Sequence, residues 1–88
     1  MARRLIFAAH AWSDYLYGQA QDTKTLDRIN RLIGECLREP FRGVGKAEPL
    51  KAQLSGFWSR RIDETHRLVY RATGEAIEIV ACRYHYQD

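Results

Sequence analysis

The spacing of apolar residues changes several times along the chain, and each change marks an element. Arg4 to Phe7 is a short β-like run. From Ala9 to Ala20, Trp12, Tyr15 and Leu16 recur at helical spacing, so a strand leading directly into a helix is expected. Gly18 weakens that helix near its end, and Asp22 is a good N-cap for a second one. In the second helix Leu26, Ile29, Ile33, Cys36 and Leu37 form an apolar stripe, with Lys24, Asp27, Arg28 and Arg31 mostly on the wet side. Pro40 ends it, lacking the backbone N–H and pushing Glu39 out of helical geometry.

Phe41 to Gly56 reads as an irregular arm in which Gly43 and Gly45 supply flexibility and Pro49 fixes the backbone. A loop of this length is uncommon in a small domain and is often functional, although the part around Leu50 also suits a short edge strand. Three β-like runs follow, Phe57 to Asp63, His66 to Thr73 and Ala76 to Tyr86, joined by the tight links Asp63-Glu64-Thr65 and Thr73-Gly74-Glu75. Such links predict an antiparallel meander. In the last run Ile77, Ile79 and Ala81 alternate with Glu78, Val80 and Cys82, leaving both faces partly apolar: one to cover helices, the other to line a shallow cleft. The expected fold is α+β, a small single domain over residues 1–88 with an N-terminal strand and two helices packed on an antiparallel sheet.

Composition narrows the function classes. An apolar fraction of 45% and a charged fraction of 28% are those of a folding chain, and 88 residues leave little room for a buried cofactor. The net charge of +3 is mild, but its distribution is uneven. Arg38, Arg42, Lys46, Lys51, Arg60, Arg61, Arg67 and Arg71 stand against Glu39, Glu48, Asp63 and Glu64, a balance that favours a polyanion or makes an ordinary solvated basic face. Cys36 and Cys82 lack the close pairing of a zinc or redox motif and read as reduced core thiols. The apolar run after Arg3 and Arg4 stops at His10, too short for an export segment, and no run is long enough to span a membrane. A cytoplasmic protein is expected.

Cleavage of RNA by its own 2′-hydroxyl needs a base for that proton, an acid for the departing 5′-oxygen and cations for the charge on phosphorus. Glu48 can supply the base, His85 the acid, and Arg67 a fixed fork of donors, with Lys51, Arg61 and Arg83 as further phosphate contacts. Each residue alone also has a plain reading: a loop carboxylate in water, a strand-rim arginine, a polar residue near the C-terminus. Tyr84 and Tyr86 suit packing as well as base stacking. Rival chemistries have less support. His10, His66 and His85 show no metal-ligand spacing, so neither metal nor cofactor is expected. Gly43-Val44-Gly45-Lys46 is only a fragment of a phosphate loop, and without a G-x-S-x-G elbow Ser55 and Ser59 have no case as nucleophiles.

Taken together, these segments resemble the YoeB-like toxins, messenger-RNA interferases of the RelE/ParE superfamily. The resemblance runs from Trp12-Ser13-Asp14-Tyr15-Leu16-Tyr17 through Arg28-Ile29-Asn30 to Pro40-Phe41. It is densest in Gly43 to Lys51, Leu54 to Ile62, His66-Arg67-Leu68-Val69-Tyr70 and Ala81-Cys82-Arg83-Tyr84-His85-Tyr86. It implies a microbial-ribonuclease-like fold of the RelE/ParE kind that cuts messenger RNA in the ribosomal decoding site. It further implies Glu48 as general base, His85 as general acid, Arg67 as transition-state stabiliser, Tyr86 as their neighbour, and Lys51 and Arg61 as RNA contacts. A cognate YefM-like antitoxin is implied as partner, with promoter DNA bound only by the toxin–antitoxin complex. Two extra residues at the start, Arg42 where an acidic residue is often seen, and Gln87-Asp88 beyond the final tyrosine depart from the pattern.

Two other function classes compete. A noncatalytic toxin would bind a protein target such as gyrase, as relatives lacking the catalytic set do. A basic RNA-binding module would bind without turnover and leave its RNA intact.

Overall fold

The structure is a computed structural model and describes residues 3–83. Strand β1 (Arg4–Phe7) leads into helix α1 (Ala9–Gln21), followed after one residue by helix α2 (Thr23–Arg38). A loop then reaches β2 (Glu48–Pro49), a 3-10 turn (Ala52–Leu54) and the meander β3 (Trp58–Arg61), β4 (Arg67–Ala72) and β5 (Ala76–Ala81). The short edge strand beside Leu50 is therefore present, and Asp22 is the predicted cap, its carboxylate accepting from Thr25 N at 3.0 Å.

The sheet order is β1-β5-β4-β3-β2. The meander is antiparallel as expected, but β1 pairs with β5 in parallel, Arg4 opposite Ala76 and Phe7 opposite Ile79, so the sheet is mixed. Packing explains the position of β1. Ala8 N bonds Ile79 O at 2.9 Å, and the helix that follows at once lays Ala11 and Asp14 into the core beside Cys82.

The core lies between the helices and one face of the sheet. Ile29, Leu32, Ile33 and Cys36 of α2 meet Leu68 and Tyr70 of β4, Ile77 and Ile79 of β5, and Ile62. Gly18 lies at the contact between helices, where even a methyl group would sit at an ordinary van der Waals distance, 3.6 Å, from Leu26. Cys36 and Cys82 are free, buried thiols. Burial pushes the Cys36 thiol up to about 11 and that of Cys82 to about 12.

Strict alternation does not survive in β5. Val69 faces Ala81 while Tyr70 faces Ile79, so Val80 is an extra residue on β5. This bulge re-aims the strand: Ile77 and Ile79 point to the core, and three residues after Ile79 so does Cys82, which unbroken alternation had set on the other face.

Candidate functional site

The face of the sheet turned away from the helices carries the candidate chemistry. Glu48, Ser59, Val69 and Ala81 stand opposite one another across four adjacent strands, and Arg61 stands opposite Arg67 on that same face. Glu48 and Arg67 belong to strands on either side of β3, so the arginine must lie across that strand to reach the carboxylate. It does so, with Arg67 Nη1 3.5 Å from Glu48 Oε1. Arg67 is 18% exposed and Glu48 43%, so the pair is held yet open to solvent. Ser59 permits the crossing: a larger side chain between Glu48 and the row of Arg67 would stand in the way. Ser59 is fully buried, and among the described residues its Oγ has no hydrogen-bond partner.

Arg61 and Arg67 directly opposite each other are a cost to the sheet, because like charges in a cross-strand pair destabilise it by roughly 0.2–1 kcal/mol. Glu48 neutralises one of them, and a bound polyanion would relieve the rest. Lys51 lies exposed two residues beyond β2. Arg83 is placed elsewhere, with its guanidinium 3.5 Å from the ring centroid of Tyr17 on α1. His85 and Tyr86 lie outside the described residues.

Several of the basic residues counted above do not offer free charge. Arg38 pairs with Glu35, Arg42 with Glu39 at 3.5 Å, and Arg71 with Glu78. Arg60 is the largest correction, for it is 0% exposed and belongs to the interior. Its Nε donates to Tyr70 Oη at 3.0 Å, Nη1 to Val44 O at 2.9 Å, and Nη2 to Arg42 O at 3.0 Å and to Glu39 O. Tyr70 Oη in turn donates to Pro40 O at 2.6 Å, and burial pushes its ionisation up to about 12. One signal for this was present in the sequence. Trp58, Arg60 and Ile62 share a period-2 face, and its two apolar members mark that face as inward.

The loop from Glu39 to Lys46 is consequently tied to the interior through the carbonyls of Glu39, Pro40, Arg42 and Val44. Gly43 and Gly45 have φ of 115° and 84°, and a methyl group at Gly45 would come within 2.8 Å of Leu32 and 3.2 Å of Arg61 O. These glycines allow a left-handed path and a close approach that other residues resist. Gly45 O accepts from Arg61 N at 2.7 Å, and Phe41 stacks at a tilt on Trp58 with centroids 4.9 Å apart. Among the described residues no three His, Cys, Asp or Glu side chains are grouped so as to hold a metal ion.

The sequence matches the profile of the YoeB-like toxin of bacterial type II toxin-antitoxin system over residues 7–86. It is 57% identical to Toxin YoeB of Streptomyces coelicolor, over 94% of this chain and 99% of that protein. Among solved structures it resembles a YoeB/ParE toxin from Agrobacterium tumefaciens, with a TM-score of 0.90, 44% identity, and coverage of 94% of this chain and 99% of the other. The toxin in a heterotetrameric YoeB-YefM complex from Staphylococcus aureus gives a TM-score of 0.88 at 41% identity, covering 96% and 98%. With its fold in common with these proteins and more than half of its sequence in common with the Streptomyces toxin, the chain belongs to the YoeB-like toxins of bacterial type II toxin–antitoxin systems.

Proposed function

We propose that this toxin is a metal-independent endoribonuclease that cuts messenger RNA in the decoding site of the ribosome and so blocks translation. The observation that carries the reading is the Glu48–Arg67 pair, a base and a cation held 3.5 Å apart on the open sheet face. In the reaction Glu48 accepts the proton of the 2′-hydroxyl, and the freed O2′ attacks the adjacent phosphorus. Arg67 turns its donors from Glu48 to the phosphate oxygens, where charge develops. His85, assigned by resemblance, gives its proton to O5′ as the P–O5′ bond breaks. Tyr86, assigned in the same way, completes the acid's surroundings. Lys51 and Arg61 contact neighbouring phosphates, whereas Arg83 reaches RNA only by leaving the Tyr17 ring. Base, acid and positive charge all come from side chains, so no step calls for a metal ion or a cofactor.

The relatives from Staphylococcus aureus are found with YefM. We extend this to a cognate YefM-like antitoxin that covers the open face, with promoter DNA bound by the joint complex only. No helix among the described residues is long and apolar enough to cross a membrane, and a cytoplasmic site of action follows from the messenger-RNA target. The test is to incubate purified toxin with messenger RNA, with and without ribosomes, and to map the new ends. A 2′,3′-cyclic phosphate and a 5′-hydroxyl are expected. A 5′-phosphate would rule out the route, and bound but intact RNA would favour the module without turnover.

A further inference from the structure

A charged guanidinium in a protein interior is normally answered by a carboxylate. Arg60 is not: among the described residues it forms no ion pair, and it donates to the Tyr70 hydroxyl and three backbone carbonyls. Those carbonyls, of Glu39, Arg42 and Val44, all belong to the one loop that joins α2 to β2. Tyr70 takes a fourth, that of Pro40. A planar fork with several N–H groups in fixed directions can gather carbonyls in this way, and a lysine cannot.

The loop so gathered ends two residues before Glu48. Lys46 has a φ of 57°, a strained value for a residue with a side chain, and Gly45 O is tied to Arg61 N. The next ladder pair is Glu48 opposite Ser59, the immediate neighbour of Arg60. β2 is only two residues long, too short to set its own register by pairing. The direction and register of Glu48 are thus dictated from behind, by the interior arginine and its tyrosine.

We propose that Arg60, together with Tyr70, is a positioning residue for the general base: it holds residues 39–46 so that Glu48 meets Arg67 across β3. This rests on the reading of Glu48 as the base, and it adds an interior pair that touches neither RNA nor the reacting atoms. A displacement of about 1 Å in a reacting group can cost on the order of 100-fold in rate. Partial release of the loop should therefore slow the chemistry while leaving the RNA-binding surface in place.

The test is a double-mutant cycle of Tyr70→Phe with Glu48→Gln, read by single-turnover cleavage on programmed ribosomes. Tyr70→Phe keeps the ring and removes the hydroxyl that joins Arg60 to Pro40. We expect it to lower the saturating rate about 10-fold with half-saturation unchanged, in a protein folded by circular dichroism. In the Glu48→Gln background the same change should have no further effect, since there is no base left to misplace. Equal losses in both backgrounds, or a full rate in folded Tyr70→Phe, would overturn the proposal while the base assignment stands. A wild-type rate in Glu48→Gln alone would instead remove the base assignment, and the proposal with it. Arg60→Lys serves as a second variant: if folded, it should share the slow rate despite its retained charge, and a normal rate there would also count against the fork.

Discussion

Arg67→Ala separates the structural from the chemical contribution of one side chain. Its ion pair with Glu48 is 3.5 Å long and partly solvated, so removal costs the fold at most about 1 kcal/mol. Truncating the half-buried stem adds roughly 0.8 kcal/mol for each methylene that was fully covered. Relief of the opposed Arg61 returns about 0.2–1 kcal/mol. The net loss is on the order of 1–2 kcal/mol, which a domain with about 5–15 kcal/mol of stability survives. Chemistry should suffer more, because losing one fixed donor to a charge that develops in the transition state typically costs about 2.7–4 kcal/mol, or roughly 100-fold to 1,000-fold in rate. Urea denaturation monitored by circular dichroism gives the first quantity, and single-turnover cleavage on programmed ribosomes the second. Arg67→Lys should fall between wild type and Arg67→Ala, since it keeps the charge and loses the fork. A folded Arg67→Ala protein cleaving within about threefold of wild type would refute the reasoning.

Other outcomes follow from the burial and hydrogen bonding of single groups. Cys36 and Cys82, with thiols raised to about 11 and 12 by burial, should resist thiol reagents at neutral pH until the chain is unfolded by urea; rapid labelling of native protein would contradict their core positions. The raised thiols and the raised Tyr70 hydroxyl favour the folded state fully below their unfolded values, near 9 and 10, and that contribution is lost as pH climbs toward 11 and 12. The urea midpoint should therefore fall between pH 9 and 11, and a flat profile would argue against it. Asp22 is held below the ordinary carboxylate value by its hydrogen bonds to Thr25. Its stabilisation is present above the unfolded pKa and lost on acidification through the folded one, so Asp22→Ala should lower the urea midpoint at pH 7 and flatten its fall in acid.

The helices and the meander were legible because their signals are local. The Leu26-to-Leu37 stripe, the Asp22 cap and the tight links need only neighbours in sequence. What escaped depends on contacts that no window contains. The parallel docking of β1 joins Arg4 to Ala76, and the Val80 bulge follows from how β5 must meet β4. Glu48 and Arg67 were named in the sequence, but their meeting across β3 required the register of three strands. Arg60 was miscounted for a different reason. Charge was read as a sign of exposure, and at this position the arginine's donors are spent on interior carbonyls, so the alternation of Trp58 and Ile62 was the better guide. Ser59 was dismissed as a nucleophile, and what its position demands is smallness.

The parallel pairing of the first strand with the last has a consequence for the order of folding. The hairpins linking β3, β4 and β5 close over short loops, so that part of the sheet can nucleate quickly from adjacent residues. β1 closes a circuit between residues 4 and 76, the slowest kind of contact to make because the entropy of the whole intervening chain is lost before the pairing rewards it. During synthesis β1 therefore has no partner until β5 has been made. The helices that follow β1 directly are thus tied to the sheet at their leading end only once β5 is in place.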